Sequence, residues 1–328
     1  MQTYQKQTQF QGKKEQKKTT LKANPLDKLA HEVTSIEGNN DSISYKAFRN
    51  RQIAKAITSK MVLPMLGLKS PLRGSYFRTL RCNSILLQNG NNVSAQYCKN
   101  RFCVVCNRIR AGKTISNYLP SVSRLNNLHL VTLTIQSVRG FEIENSYIRM
   151  VKSLSRIRRN IAKNYKGNKV IGVRAFECNY NAEKNTFNPH FHLLIDGKEN
   201  AELIRTLWLS QNKTSNFKAQ DVREANANSL IELVKYVAKG VVKDKFYPEA
   251  MDAIYRAIRR KKIFESFCLT KFNDNMDSTI TTLIDFKKSD IDVWTWDFDV
   301  MDWINSKGEL FMDRQFNKET LDYLNLIN

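Results

Sequence analysis

The sequence is poor in histidine and has no long apolar segment. The first shortage draws attention to the few histidines present, and the second argues against a membrane-spanning or secreted protein. Only 4 of the 328 residues are histidine. No uninterrupted apolar run reaches the length of a transmembrane helix, and the Gln- and Lys-rich N-terminus lacks the apolar core of a signal peptide. We therefore expect a soluble cytoplasmic protein in a reducing compartment. There the 6 cysteines are expected to be thiols or metal ligands rather than disulfides.

Acidic residues are scarce over most of the chain. The formal net charge is +22 and the pI is about 9.7. Residues 285–328 carry a net charge of −5, so residues 1–284 carry +27. This distribution favours a polyanionic partner, nucleic acid first among them. The alternative is a basic protein whose charge only aids solubility.

Two of the four histidines lie one residue apart, in the segment Asn188-Pro-His-Phe-His-Leu-Leu-Ile195. The segment predicts a strand, in which His190 and His192 share one face and Phe191 points to the other. Two neutral imidazoles on one face form half of a divalent-metal site, which a carboxylate and water can complete. The alternative is a pair of histidines on the polar face of an ordinary strand.

The hydrophobic pattern predicts an α+β fold with an antiparallel sheet and helices packed against it. The predicted strands are 128–137, 170–180, 186–195 and 216–223, and the predicted helices are 43–60, 147–165, 200–211 and 226–242. The Pro and Gly residues between positions 64 and 74 predict a loop. Aromatic residues near the C-terminus are predicted to pack rather than to face a partner.

Four cysteines have the spacing C-x15-C-x4-C-x2-C, namely Cys82, Cys98, Cys103 and Cys106. A C-x2-C pair with two nearby thiols can close a tetrahedral zinc site. Such a site would stabilise a segment poor in core residues; unrelated free thiols are the alternative. Basic side chains follow the cysteines closely and are candidates for DNA contact: Arg101, Arg108, Arg110 and Lys113.

The predicted helix over 226–242 presents Glu232, Tyr236 and Lys239 within roughly 60° of one another. A tyrosine in such a place is often a half-buried packing residue. Beside a metal ion and an ammonium group, however, a phenol can attack phosphorus in line. Glu232 could then act as a general base.

Four segments together resemble the HUH endonucleases, and among them the rolling-circle replication initiators (Rep proteins) of small bacterial plasmids. Leu130–Thr134 is similar to the first motif of the family, and Asn188–Leu194 is similar to its His-hydrophobe-His metal motif. Lys235–Lys239 is similar to its Tyr-x-x-Lys motif. The cysteine region up to Lys113 is similar to a zinc-type segment of one Rep branch. That branch usually has proline before its last cysteine, where this chain has Val105. The likeness covers roughly residues 80–242.

The resemblance implies an HUH-type central antiparallel sheet flanked by helices, with a cysteine-rich zinc segment before it and a helical C-terminal appendage. It implies that His190 and His192 bind Mg²⁺ or Mn²⁺. Glu177 is the expected third ligand, with a solvated strand residue as the alternative. Tyr236 would attack single-stranded origin DNA and form a 5′-phosphotyrosyl bond.

The resemblance also implies roles for the residues around the tyrosine. Lys239 would neutralise phosphate charge, and Glu232 would promote the hydrolysis that ends replication. The expected partners are plasmid origin DNA, with a hairpin and a single-stranded nick site, and a host helicase and DNA polymerase. A basic helix with Arg156 and Arg159 would add salt-dependent phosphate contacts.

The expected organisation has five parts: a disordered basic tail (1–24), a helical segment (25–75), a cysteine-rich zinc and DNA-binding segment (76–120), an endonuclease domain (121–245) and a helical C-terminal region (246–328). Two alternatives to a replication initiator remain. One is an HUH transposase or relaxase, and the other is a non-catalytic zinc-containing DNA-binding protein.

Overall fold

The computed structural model describes residues 45–90, 92–165, 169–234, 241–242, 245–272 and 291–327. Its helices are α1 (Tyr45–Leu66), α2 (Arg73–Leu80), α3 (Val104–Val122), α4 (Ile143–Asn164), α5 (Lys198–Gln211), α6 (Ser229–Leu233), α7 (Pro248–Ala257) and α8 (Lys318–Leu326). Its strands are β1 (Ile85–Asn89), β2 (Asn92–Ala95), β3 (Leu128–Thr134), β4 (Gly172–Asn181), β5 (Thr186–Asp196), β6 (Asp221–Glu224), β7 (Val241–Val242), β8 (Lys245–Phe246), β9 (Phe264–Phe267), β10 (Asp292–Asp297) and β11 (Asp302–Ile304). Within these ranges no helix is both long and apolar enough to cross a membrane.

A five-stranded antiparallel sheet lies at the centre of the fold, with the strand order β6-β3-β5-β4-β9. The strand with the histidine pair, β5, is hydrogen-bonded to β3 on one edge and to β4 on the other. The cysteine segment precedes this sheet in the chain, and a helix ends the described part of the chain. The predicted α+β fold class is therefore confirmed.

Helices cover both faces of the central sheet. The apolar sides of α4 and α5 pack on the face that carries Phe191, and α3 and α6 pack on the face that carries Leu194. Side chains of a strand alternate between its two faces. His190 and His192 therefore point to the same side as Leu194, towards α3 and α6.

A second, four-stranded sheet has the order β11-β10-β1-β2 and joins the C-terminal region to the cysteine segment. The rings of Trp296 and Trp303 are buried with centroids 4.8 Å apart, and the indole N–H of Trp303 donates to the carbonyl oxygen of Asn83 at 2.8 Å. The predicted packing of the C-terminal aromatics is confirmed. The region is not helical throughout, because β10 and β11 join this sheet and β9 joins the central one.

Two boundary predictions were wrong. The predicted loop at 64–74 is present but shorter, over residues 67–72, since α1 continues through Pro64 to Leu66 and Gly74 lies inside α2. The predicted helix over 226–242 does not reach its end, because Val241 and Val242 form β7, which pairs with β8. Val241 and Val242 are β-branched and therefore also suit a strand, and β8 supplies the backbone hydrogen-bond partners of that strand.

Gly172, the first residue of β4, lies close against the backbone of β5. Its φ is +153°, and an added Cβ would lie 2.0 Å from the carbonyl oxygen of Leu194. Gly172→Ala should lower the free energy of unfolding, measured by urea titration, by at least about 2 kcal/mol. Gly74→Ala is the matched control, because nothing lies within 4 Å of its added Cβ. It should change stability by no more than about 1 kcal/mol, in the stabilising direction. Equal effects at both positions would contradict this account of the close approach.

Candidate metal centre and its cleft

The histidine pair lies directly opposite an acidic residue of β4. In the antiparallel register, Glu177 stands across from His190 and Ala175 across from His192. Oε2 of Glu177 lies 3.4 Å from Nε2 of His192 and 3.7 Å from Nε2 of His190. The structure therefore brings the expected third ligand together with both imidazoles.

The other ring nitrogen of each histidine is held by a hydrogen bond. Nδ1 of His190 donates to the carbonyl oxygen of Asn188 at 2.9 Å. Nδ1 of His192 lies 3.2 Å from the hydroxyl oxygen of Thr132, which follows the same register on β3. Both contacts fix the ring orientation and leave Nε2 facing Glu177, an arrangement typical of metal-binding histidines.

The carboxyl group of Glu177 is strongly biased towards its ionised form. Burial raises the pKa of this group, but the imidazoles of His190 and His192 outweigh burial and hold its pKa well below the ordinary range. His190 is itself buried, whereas His192 is half-buried and reaches the surface side of the site. The site thus combines one anionic oxygen with two nitrogen donors.

These three side chains can hold a divalent metal ion. Their ligand atoms all lie within 4.8 Å of one another. The observed separations leave space between them for a cation at ordinary bond lengths of about 2.0–2.2 Å. Three protein ligands on one face leave the remaining coordination positions for water or substrate oxygens.

A cleft of about 60 Å³ lies beside the ligand set. Glu177 and His192 line this cleft together with Arg110 of α3. Val234, which follows the last residue of α6, also lines it. Val234 precedes Tyr236 by two residues, so the segment with the candidate nucleophile leaves the described part of the chain at the edge of this cleft.

The remaining residues of the tyrosine segment are placed only in part. Tyr236 and Lys239 lie outside the described residues. Glu232 is exposed on α6 and lines a different cavity, of about 490 Å³, together with Arg223 and Glu224. The structure thus brings Glu177 and the histidines together and places Glu232 in a neighbouring cavity.

The four cysteines form a compact cluster ahead of the sheet. Sγ of Cys106 lies 3.6 Å from Sγ of Cys82 and 3.7 Å from Sγ of Cys98. Sγ of Cys103 caps α3 by accepting the backbone N–H of Cys106. Four sulfurs at about 2.3 Å from a tetrahedral metal would lie about 3.8 Å apart. The cluster therefore fits a tetrahedral metal ion.

The thiols of the cluster differ in acidity. Hydrogen bonds from Cys103 and Cys106 lower the pKa of Cys98, whereas burial raises the pKa of Cys103. Four thiolates so close together need a cation to offset their mutual repulsion. The donor set and the burial both suit a metal that binds soft sulfur ligands.

A buried lysine beside the cluster was missed by the sequence analysis. The ammonium group of Lys55 donates to the carbonyl oxygens of Leu80 and Cys82, at 2.6 and 2.8 Å, and to the hydroxyl of Ser84 at 2.8 Å. Burial lowers its pKa to about 8. Nothing in the local sequence distinguishes Lys55 from the many exposed lysines, because its contacts come from residues 25 or more positions away.

The basic residues predicted to contact DNA fall on two sides of the central sheet. Arg110 lies in the cleft. The other predicted basic residues near the cysteines are partly buried on or beside α3: Arg101, Arg108 and Lys113. Arg156 and Arg159 are exposed on α4, which covers the opposite face. One flat DNA surface therefore cannot include all six.

Comparisons with known proteins show which part of the chain has relatives. A family model described as a replication protein matches residues 90–200. A protein called Protein rep from Staphylococcus aureus is 27% identical over 186 residues, which cover 48% of this chain and 79% of that protein. A Protein rep from Streptococcus pneumoniae is 24% identical over 194 residues, or 51% of this chain and 59% of that protein. No solved structure matches.

The matched segment runs from β2 through β5 and into α5, so it includes the cysteine pair of α3, Glu177 and both histidines of β5. The two candidate metal groups thus lie within the part of the chain that the family model recognises, apart from Cys82. On this evidence, the segment over residues 90–200 is similar to the replication protein family, and about half of the chain is similar to proteins called Protein rep.

Proposed function

We propose that this protein starts rolling-circle replication of a plasmid by nicking one strand of the origin and joining itself to the cut DNA. One observation carries the proposal. Glu177, His190 and His192 form a group that can hold a metal ion, and Glu177 and His192 line a cleft that Val234, two residues before Tyr236 in the sequence, also lines. The similarity to replication proteins supports the same activity.

In this proposal the phosphate group to be cut lies in the cleft beside the ligand set. A bound Mg²⁺ or Mn²⁺ would supply positive charge that polarises the phosphate. The phenol of Tyr236 gives up its proton and its oxygen attacks phosphorus. The bond from phosphorus to the 3′ oxygen breaks, and that oxygen takes up a proton, so that no net proton is gained or lost. The products are a 5′-phosphotyrosyl bond and a free 3′-hydroxyl, from which the host polymerase can extend.

The residues around the tyrosine have separate tasks in the proposal. Lys239 offsets the negative charge of the phosphate during attack. Glu232 acts later, as general base for the water that hydrolyses the phosphotyrosyl bond and ends replication. The exposed position of Glu232 in a cavity beside the cleft is compatible with action on water rather than on the metal ligands.

The cysteine cluster holds Zn²⁺ in this proposal and has a structural task. Four sulfur donors with tetrahedral spacing favour zinc, whereas two imidazoles and a carboxylate favour a metal that accepts oxygen ligands. The partners would be origin DNA with its hairpin and single-stranded nick site, and a host helicase and DNA polymerase. These assignments rest on the resemblance and on the charge of the chain.

The ligand role of Glu177 can be tested by metal binding alone. Glu177→Gln keeps the shape of the side chain but removes the anionic oxygen, so Mn²⁺ affinity measured by calorimetry on the zinc-loaded protein should fall at least about tenfold. Glu249→Gln, a change at an exposed glutamate of α7, should leave it unchanged. Unaltered Mn²⁺ affinity in Glu177→Gln would remove Glu177 from the site.

The nucleophile can be tested with a single-stranded oligonucleotide that carries the plasmid origin. With Mn²⁺, the wild-type protein should give a covalent protein–DNA band on a denaturing gel, and EDTA should abolish it. Tyr236→Phe should bind the oligonucleotide with unchanged affinity and give no band, because it lacks the attacking oxygen. A covalent band that survives in Tyr236→Phe would show that another residue is the nucleophile. Binding without any covalent band in the wild-type protein would favour a non-catalytic DNA-binding protein.

A further inference from the structure

Helix α3 connects the two candidate metal groups. It begins at the cysteine cluster, where Cys103 caps its first turn and Cys106 lies within that turn. Asn107 directly follows Cys106, and Arg110 and Thr114 lie about one and two turns after it. All three line the cleft that Glu177 and His192 also line. Residues spaced by three and four positions share one face of a helix. Helix α3 therefore begins at the cysteine cluster and presents polar side chains to the cleft.

The guanidinium group of Arg110 is held by the cysteine loop. One of its nitrogens donates to Oδ1 of Asn107, and another donates to the carbonyl oxygen of Lys99 at 2.9 Å. The side-chain amide of Asn107 in turn donates to the carbonyl oxygen of Arg101. Lys99 and Arg101 both lie between Cys98 and Cys103, so the backbone that a metal ion would fix is the backbone that orients Arg110.

Arg110 keeps its positive charge available. Its hydrogen bonds go to an amide oxygen and a carbonyl oxygen, and within the part of the chain that the structure describes no carboxylate forms an ion pair with it. It is only half-buried and lies in the wall of the cleft, beside the metal ligands. A guanidinium so placed matches a phosphate oxygen, which it can contact with two parallel N–H groups.

We propose that Arg110 contacts a non-bridging oxygen of the phosphate that is cut, and that the cysteine loop serves to hold it there through Asn107 and Lys99. The proposal rests on the proposed nicking function and deepens it. It assigns the cysteine cluster a task at the cleavage site in addition to folding. Charge on the non-bridging oxygens is stabilised most effectively by donors that are already in place before reaction.

The phosphate contact can be tested by removing the charge from the DNA as well as from the protein. The full-length zinc-loaded protein is given the origin oligonucleotide with either an ordinary phosphate or an uncharged methylphosphonate at the nick site. With the ordinary phosphate, Arg110→Ala should form the covalent band about 100-fold more slowly than wild type. With the methylphosphonate the same substitution should cost less than about threefold, because the oxygen charge that it recognised is reduced. An equal loss on both substrates would overturn the contact.

Two variants test specificity. Arg110→Lys keeps a positive charge but loses the planar pair of donors, so it should recover only part of the rate. Arg124→Ala removes an exposed arginine just beyond the end of α3 and should not change the rate on either substrate. Full recovery in Arg110→Lys would show that charge alone suffices and would overturn the paired contact.

The task of the loop is tested by a double-mutant cycle. Asn107→Ala should retain its zinc, measured by atomic emission, yet slow covalent-band formation on the ordinary phosphate. The double variant with Arg110→Ala should be no slower than Arg110→Ala alone, because both substitutions act through one group. Additive losses, or loss of zinc from Asn107→Ala, would overturn the positioning role.

Binding measurements separate a failure of this inference from a failure of the proposed function. If the wild-type protein forms no covalent band, the nicking function fails. The affinities of the wild-type protein and of Arg110→Ala for the two oligonucleotides then still show whether Arg110 contacts the phosphate. A preference for the ordinary phosphate that disappears in Arg110→Ala supports the contact, and a preference that persists overturns it.

Discussion

Strand β5 is hydrogen-bonded on both edges, and this double pairing fixes the direction of every side chain that it carries. A shift of one residue would turn the histidines towards α4 and expose Phe191 to the site. The register also places Glu177 and Thr132 beside the imidazoles, one from each neighbouring strand. The candidate metal centre is therefore a consequence of backbone pairing in the middle of the sheet, where the strand has the least freedom to slide.

The two candidate metal groups have different chemistry and are joined by helix α3. Sulfur ligands select soft or borderline ions, and the carboxylate and imidazoles leave open positions that suit a catalytic ion. Helix α3 runs from the first group to the second, with its N-terminus fixed by the cysteines. The cysteine segment, although poor in core residues, can thereby hold the polar residues of α3 at a defined distance from the central sheet.

The basic charge of the chain is distributed over separate surfaces. Arg110 belongs to the cleft on the α3 side, whereas Arg156 and Arg159 are exposed on α4, on the other side of the sheet. Phosphate contacts give affinity that depends on salt but carry no sequence information. In the proposed function, the cleft and the α4 surface would therefore contact different segments of DNA.

The sequence by itself determined the central strands, the shared face of the histidines and the grouping of four cysteines, because these follow from local alternation and spacing. Tertiary structure decided that β10 pairs with β1 across the chain and that Lys55 is buried beside the cysteines. These features depend on partners far apart in the chain, and pairing and burial between distant segments leave no periodic signal in either segment alone.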